Sequence, residues 1–263
     1  MVDLAGDLLG PSGPEWPEVA VEWVAPLPDP PEQGSFSTKE AVLPLLSGGH
    51  AVLMRELRRA RFHKPRAADG HELAHPCLSA VGLVFARWDG RIALHAGGVL
   101  FEGVAWGVLG EREAGKSTTL AWLAQAGQVV LSDDLLVVEK GQAFCGPRTI
   151  DLRPRAAERL EGRDRLVVVR QGERHRMLLP PAPVTAPLGG FLVLGVGDAM
   201  TVTSVDVGER LGALSEHLML QQAGLPAAGL LELVGLPMWR VNRSRAWSDL
   251  PLLLDRLRTT VAG

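Results

Sequence analysis

Gly110, four further residues and then Gly115-Lys116-Ser117 spell G-x-x-x-x-G-K-[ST], the pattern of a phosphate-binding loop. A strand that turns through glycine into a helix offers an anion several unpaired backbone N–H groups and the positive end of the helix dipole. Within Gly110, Glu111, Arg112, Glu113, Ala114, Gly115, Lys116, Ser117 and Thr118, the backbone wraps the nucleotide phosphates. Lys116 lies along the β- and γ-phosphates, and the Ser117 hydroxyl takes a place on Mg²⁺. Asp133 and Asp134 follow 16 and 17 residues after Ser117, room for one helix, its cap and one strand. One carboxylate could hold the metal while the other takes a proton from an incoming hydroxyl, a pairing suited to phosphoryl transfer from ATP to an alcohol. The residues leave open which aspartate does which; Asp134 is assigned with Ser117 to the metal. Glu111 and Glu113 oppose this reading, because they add two carboxylates to a loop meant for anions.

The elements that must position these groups are legible around them. "KSTTLAWLAQA" reads as a helix closed by Gly127, and "QVVLS" as a buried strand ending at the acidic pair. A right-handed crossover predicts this strand parallel to and beside the loop's own strand. Upstream, "LSAVGLVFARWDGRIALHAGGVLFEGVAWGVLG" breaks at Asp89-Gly90 and Glu102-Gly103, which predicts an antiparallel meander feeding the loop. Earlier still, "STKEAVLPLL" and "AVLMRELRRARF" carry a helical pattern, with Leu53, Leu57 and Phe62 on one apolar side and Arg55, Arg58, Arg59 and Arg61 on the wet one. "RLVVVRQGERHRMLLP" reads as a hairpin, "LGGFLVLGV" as a strand, and the tail as a helix, a strand and a final helix. The expected fold is α/β around a mixed sheet with antiparallel N-terminal strands. Residues 1–40 form an extended proline-rich segment holding one strand, and 41–263 a single domain.

With 263 residues and a formal charge of −3, the chain can bury a sizeable core, and its charge balance selects neither nucleic acid nor an anionic membrane. Two cysteines, Cys77 and Cys145, form no C-x-x-C pair, which argues against a disulfide framework and fits a cytoplasmic location. No apolar run approaches the roughly 20 residues needed to span a bilayer.

The loop, its helix, the "S-D-D" end of the next strand and the upstream His95-Ala96-Gly97-Gly98 together resemble the HPr kinase/phosphorylase superfamily, over about residues 92–153. The tail "LPMWRVNRSRAWSDLPLLLDRL" is more similar to its members associated with ribosomally made peptide natural products, lasso-peptide kinases among them. The resemblance implies a P-loop core of the HPr-kinase/PEP-carboxykinase type, with ATP and Mg²⁺ as cofactors. The implied substrate is a serine or threonine hydroxyl on a peptide or small protein, such as a natural-product precursor. It implies Lys116 on the phosphates, one of Asp133 and Asp134 as the base, and His95 in the catalytic centre. It would also imply a hexamer, which is not carried over because the proline-rich amino end differs. Thr118 stands where the bifunctional enzymes carry an acidic residue, so the reverse phosphorolysis is not expected. Arg148 and Arg153 offer guanidinium forks as phosphate clamps.

Two alternatives belong to other classes. A nucleotide-binding scaffold that partners a peptide-modifying enzyme would explain Glu111 and Glu113. "HELAH", His71 to His75, spells a zinc-hydrolase motif, but Pro76 directly after His75 disfavours the helix it needs. "LSGGH" at 46–50 reads as a turn between helices.

Overall fold

The computed structural model describes residues 6–10, 12–13, 16–26, 33–45, 48–160, 165–221 and 227–262. The proline-rich connection at 27–32, and Leu46 and Ser47 of the LSGGH stretch, lie outside the described residues.

Strands β1 (Ala20–Val24), β2 (Ser35–Phe36), β3 (Glu40–Pro44), β4 (His50–Met54) and β5 (Arg59–His63) form a five-stranded sheet in the order β1-β5-β4-β3-β2. It draws strands from both sides of residue 40. The helices expected from Ser37 and from Ala51 are therefore corrected to strands. Ala51, Leu53, Ala60 and Phe62 are fully buried at alternate positions, a period of two and not 3.6. Leu57, whose i+4 spacing from Leu53 suggested a helix, is 62% exposed. Gly48 and Gly49, both at φ 84°, make the turn between strands, not helices, that joins β3 to β4. The arginines are neutralised locally: Arg59 and Arg61 both reach Glu22 on β1, and Arg58 reaches Asp89. β1 runs parallel to β5, so the N-terminal strands are not all antiparallel as expected.

A single helical turn, α1 (Gly70–Glu72), precedes α2 (Leu78–Trp88). The meander expected from Leu78 is thus a helix for its first third. Val81, Val84, Phe85 and Trp88 recur at i, i+3, i+4 and i+7 and pack on Leu53 and Phe62 of the sheet. Asp89-Gly90 closes this helix, with Gly90 at φ 81°, where a hairpin was expected.

The larger sheet holds β6 (Ile92–Leu94), β7 (Gly97–Phe101), β8 (Val104–Gly110), β9 (Val129–Ser132), β10 (Leu136–Glu139), β11 (Gln142–Phe144), β15 (Thr185–Val196), β16 (Thr201–Ser204) and β17 (Met238–Arg243). Its order is β6-β10-β11-β15-β8-β7-β9, with β17 also on β15 and β16 on β17. β15 is parallel to β8 and β17, and the other pairs are antiparallel. The sheet is mixed, as expected. Glu102 and Gly103, at φ 51° and 82°, form the tight β7–β8 turn that their types favour. Because this hairpin returns beside β8, β7 occupies the place expected for β9. β9 lies one strand further out, still parallel to β8 because two antiparallel steps separate them.

Helix α3 (Lys116–Gln125) and helix α7 (Leu250–Ala262) bury Leu120, Leu123, Leu253 and Leu257 against Val99, Trp106 and Val108 on one face. Helices α5 (Val207–Glu216) and α6 (Ala227–Val234) cover the other, where Leu214, Leu230 and Leu233 meet Leu109, Leu131 and Phe191. The central strand β8 is apolar on both faces for this reason. A small antiparallel sheet of β12 (Thr149–Leu152), β14 (His175–Leu178) and β13 (Val167–Arg170), with the short helix α4 (Pro154–Glu158), sits beside α3.

Gly190 on β15 sits where backbone and a ring crowd the core. A Cβ there would lie 2.3 Å from the Pro237 carbonyl oxygen and 2.7 Å from the Trp106 ring. Gly190→Ala is expected to lower stability by about 1–3 kcal/mol, read as a lower urea midpoint at unchanged slope.

Candidate active site

All three motif pieces meet at the carboxyl ends of β8 and β9. β7 runs against β8, so its first residues, Gly97 and Gly98, pair with Val108 and Gly107 near the loop, and Gly98 also pairs with Ser132. A Cβ on Gly97 would sit 2.2 Å from the Leu120 side chain. Glycine here lets α3 lie close on the sheet.

The loop between β8 and α3 bends through Gly115 at φ 89°, a conformation that costs glycine little. No side chain caps the amino end of α3, so its backbone donors are not met by a built-in acceptor. Lys116, 6% exposed, folds back under the loop and donates to the carbonyls of Gly110 at 2.6 Å and Glu111 at 3.3 Å. Burial pulls the Lys116 ammonium below the ordinary lysine value, against the attraction of Asp134 and Asp133. Glu111, Arg112 and Glu113 are exposed, leaving the cradle to backbone. Glu113 forms an ion pair with Arg153, which offsets one of the two loop carboxylates.

The Ser117 hydroxyl, in the first turn of α3, hydrogen bonds to Asp133 Oδ1 at 3.2 Å. It is Asp133, not Asp134, that faces the loop serine. Asp134 takes the left-handed conformation, φ 64°, which aspartate tolerates better than most residues. Its carbonyl hydrogen bonds to His95 Nδ1 at 3.1 Å, and its side chain helps line a small cleft with Asp133 and Asp151. Burial, reinforced by the charge of Asp134, pushes the Asp133 carboxyl well above its ordinary value, while the Ser117 hydrogen bond opposes the shift. Two carboxylates and a buried ammonium with loose backbone donors form a site that favours a polyanion bridged by a divalent cation. That donor set fits Mg²⁺ and nucleotide phosphates. Among the described residues no group of three or more His, Cys, Asp or Glu side chains could hold a metal on its own.

Several residues at this site gave no sequence signal. His217, after α5, accepts from the Gly110 N–H at 3.3 Å, and its carbonyl accepts from the His95 N–H at 2.7 Å. Burial and the nearby Lys116 charge hold its imidazole below the usual range. Arg243, at the end of β17, is 6% exposed and donates to Thr119 Oγ1 at 3.0 Å directly behind Gly115. Both come from more than 90 residues along the chain. Arg148 spends its fork on the Leu179 carbonyl, at 3.3 and 3.1 Å.

The HELAH stretch takes another form from the zinc motif it spells. His75 is extended, at φ −153° and ψ 125°, so no helix sets His71 and His75 on one face. Glu72 instead pairs with the buried Lys64. The segment is tied to the core by Arg176, 4% exposed, which donates to the carbonyls of His71 and His75 while forking onto Asp151 at 2.7 and 2.6 Å. His75 thereby joins the cleft beside Asp133 and Asp134, with its imidazole held low by burial.

The raised Asp133 carboxyl carries a stability consequence. Its folded value lies above the ordinary 3.8, so between the two the folded state binds more protons, and ionising the group as pH rises costs stability. In metal- and nucleotide-free buffer, Asp133→Asn is expected to be more stable than the parent at neutral pH. The gain should shrink as pH falls and vanish below about 3.8, where the parent is protonated in both states. Thermal melts from pH 3 to 8 check this; a stability loss at pH 7 would contradict the assigned environment.

No known protein family matches the chain, and no curated protein matches it. Among solved structures, the HPr(Ser) kinase/phosphatase from Coxiella burnetii is similar to it with a TM-score of 0.34 and 12% identity, over 65% of this chain and 99% of that one. No helix among the described residues is long and apolar enough to cross a membrane. At that TM-score the structural likeness decides nothing about what this chain does.

Proposed function

We propose that the protein is a phosphotransferase that moves the γ-phosphoryl group of ATP to a serine or threonine hydroxyl of a peptide or small protein. The observation that carries the reading is the Ser117–Asp133 hydrogen bond of 3.2 Å, which joins the amino end of the loop helix to an acidic strand end. Phosphoryl transfer needs little covalent chemistry from a protein and much positioning and charge stabilisation, and these are what this site supplies.

The backbone from Gly110 to Thr118 binds the phosphates, with the Lys116 ammonium adding its charge. Ser117 and Asp133 would hold Mg²⁺. The metal would draw negative charge off the phosphate oxygens and let two neighbouring carboxylates stay ionised. His95, through Nδ1, holds the Asp134 backbone and with it the placement of the second carboxylate. In the transfer, the acceptor oxygen forms a bond to the γ-phosphorus as the bond from that phosphorus to the bridging oxygen breaks. The bond's electron pair leaves with ADP. The hydroxyl proton passes to the Asp134 carboxylate and from there to solvent. Arg153, paired with Glu113 at the loop's outer rim, can change partners to a phosphate oxygen, a fork geometry that suits either.

γ-Labelled ATP, Mg²⁺ and a degenerate peptide library in which each peptide carries one hydroxyl residue provide the test. Label is expected on peptide with the intact protein and to disappear with EDTA. Asp134→Asn is expected to slow transfer by about 10²- to 10⁴-fold at unchanged nucleotide affinity, and Lys116→Ala to weaken nucleotide binding itself. Nucleotide binding with no transfer to any peptide would overturn the reading and describe a scaffold instead.

A further inference from the structure

The cleft next to Asp134 has a wall that neither the loop nor the acidic pair provides. On one side stand Asp133, Asp134, Thr149 and Asp151 of the core; on the other stand His75, just before α2, and Ser79, in its first turn. This second wall is fixed in place. Arg176 clamps the His71 and His75 carbonyls to Asp151, and the His75 Nδ1 is engaged with Ser79 Oγ at 3.0 Å. His75 Nε2 finds no protein partner among the described residues, although the ring lines the cleft. The free space between the walls is about 10 Å³, room for roughly one water-sized group.

We propose that this cleft is the acceptor pocket, that it admits a single aliphatic hydroxyl and excludes a phenolic one, and that His75 Nε2 hydrogen bonds to that hydroxyl opposite Asp134. The proposal rests on the phosphotransferase reading and deepens it by naming the pocket that enforces the acceptor class and a further binding residue. A seryl or threonyl side chain brings its oxygen on one or two carbons and fits a space of this size. A tyrosyl ring is larger than the free space of about 10 Å³ that the cleft offers. With its Nδ1 engaged by Ser79, the His75 ring is held in one orientation, so an Nε2 contact to the acceptor adds little further entropic cost. Asp151, although acidic, is neutralised by the Arg176 fork, so Asp134 is the carboxylate left to receive the proton.

The same degenerate library, split into arms whose only hydroxyl residue is serine, threonine or tyrosine, tests this. Transfer to the serine or threonine arm is expected to exceed transfer to the tyrosine arm by at least about tenfold. His75→Ala is expected to raise the acceptor KM about five- to tenfold, the loss of one neutral hydrogen bond, while the KM for ATP stays within about twofold. It should also narrow the gap between the serine and tyrosine arms, because it widens the pocket. His75→Ala changing the ATP KM as much as the acceptor KM would overturn the pocket assignment while leaving the phosphotransferase reading standing, whereas equal use of tyrosine by the intact protein would overturn both the pocket assignment and the serine/threonine restriction of the proposed function, leaving only phosphoryl transfer itself. No transfer to any arm would overturn both. Circular dichroism and nucleotide affinity of His75→Ala separate a lost contact from a lost fold, and His75→Gln, which keeps a polar end group, should recover part of the acceptor KM if the hydrogen bond is the cause.

Discussion

The hydrogen bond of 3.2 Å between the first turn of α3 and the end of β9 is the contact on which the rest of this site depends. For a loop serine and a strand-end aspartate to meet, α3 must lie flat on the sheet and β9 must end level with β8. Both conditions trace to small residues. Gly97 lets the Leu120 side chain sit where a Cβ would be, and Gly98 accepts Leu131 and Leu136 at close range. A Cβ at Gly97 would force the Leu120 side chain to move, and one at Gly98 would crowd Leu131 and Leu136 by a few tenths of an ångström, so either would disturb the close seating of helix and strand. The H-A-G-G stretch therefore acts in two ways: His95 holds the Asp134 backbone, and the glycines set the spacing that brings Asp133 to Ser117.

Electrostatics then work within that frame. Burial, and after it the charge of the adjacent Asp134, raises the Asp133 carboxyl. Lys116, folded onto the Gly110 and Glu111 carbonyls, and Arg243, buried behind the loop, place positive charge on the side where phosphates would lie. His217 completes the arrangement as a neutral acceptor for the Gly110 N–H. A site strained by like charges in the absence of ligand, and relieved by a cation and a polyanion, trades stability for binding. The outward Glu111, Arg112 and Glu113 leave this balance alone, and Arg153 screens Glu113.

The local part of this design was legible in the sequence, and the assembled part was not. The loop, α3 with its Gly127 stop, the β7–β8 turn at Glu102-Gly103 and the Asp133-Asp134 strand end are each set by neighbours within a few residues. The placement of β9 beyond β7 was not readable, because the β7–β8 hairpin and the β8-α3-β9 crossover compete for the same edge and only the assembled sheet shows which takes it. The five-stranded N-terminal sheet was misread because Leu53, Leu57 and Phe62 mimic a helical stripe; the pairing of β5 with β1, about 40 residues away, and the burial of Ala51, Leu53, Ala60 and Phe62 at alternate positions are what make strands of them. His75, Arg176, His217 and Arg243 reach the site from distant segments, and no local pattern announces such arrivals. Even the HELAH stretch pointed to the right residues for the wrong chemistry. Its histidine belongs to the cleft, but an extended backbone at His75 removes the helical geometry that a zinc pair requires.

The central claim is that a nucleotide's terminal phosphate and its metal lie between the Lys116 loop and the acidic pair. Replacing Mg²⁺ by Mn²⁺ in a crystal grown with a non-hydrolysable ATP analogue, and locating the metal by its anomalous scattering, tests this most directly. The account predicts one Mn²⁺ within coordinating reach, directly or through one water, of both Ser117 Oγ and Asp133, with the γ-phosphate facing Asp134. Phosphates bound outside the loop, or Mn²⁺ away from both Ser117 and Asp133, would contradict it.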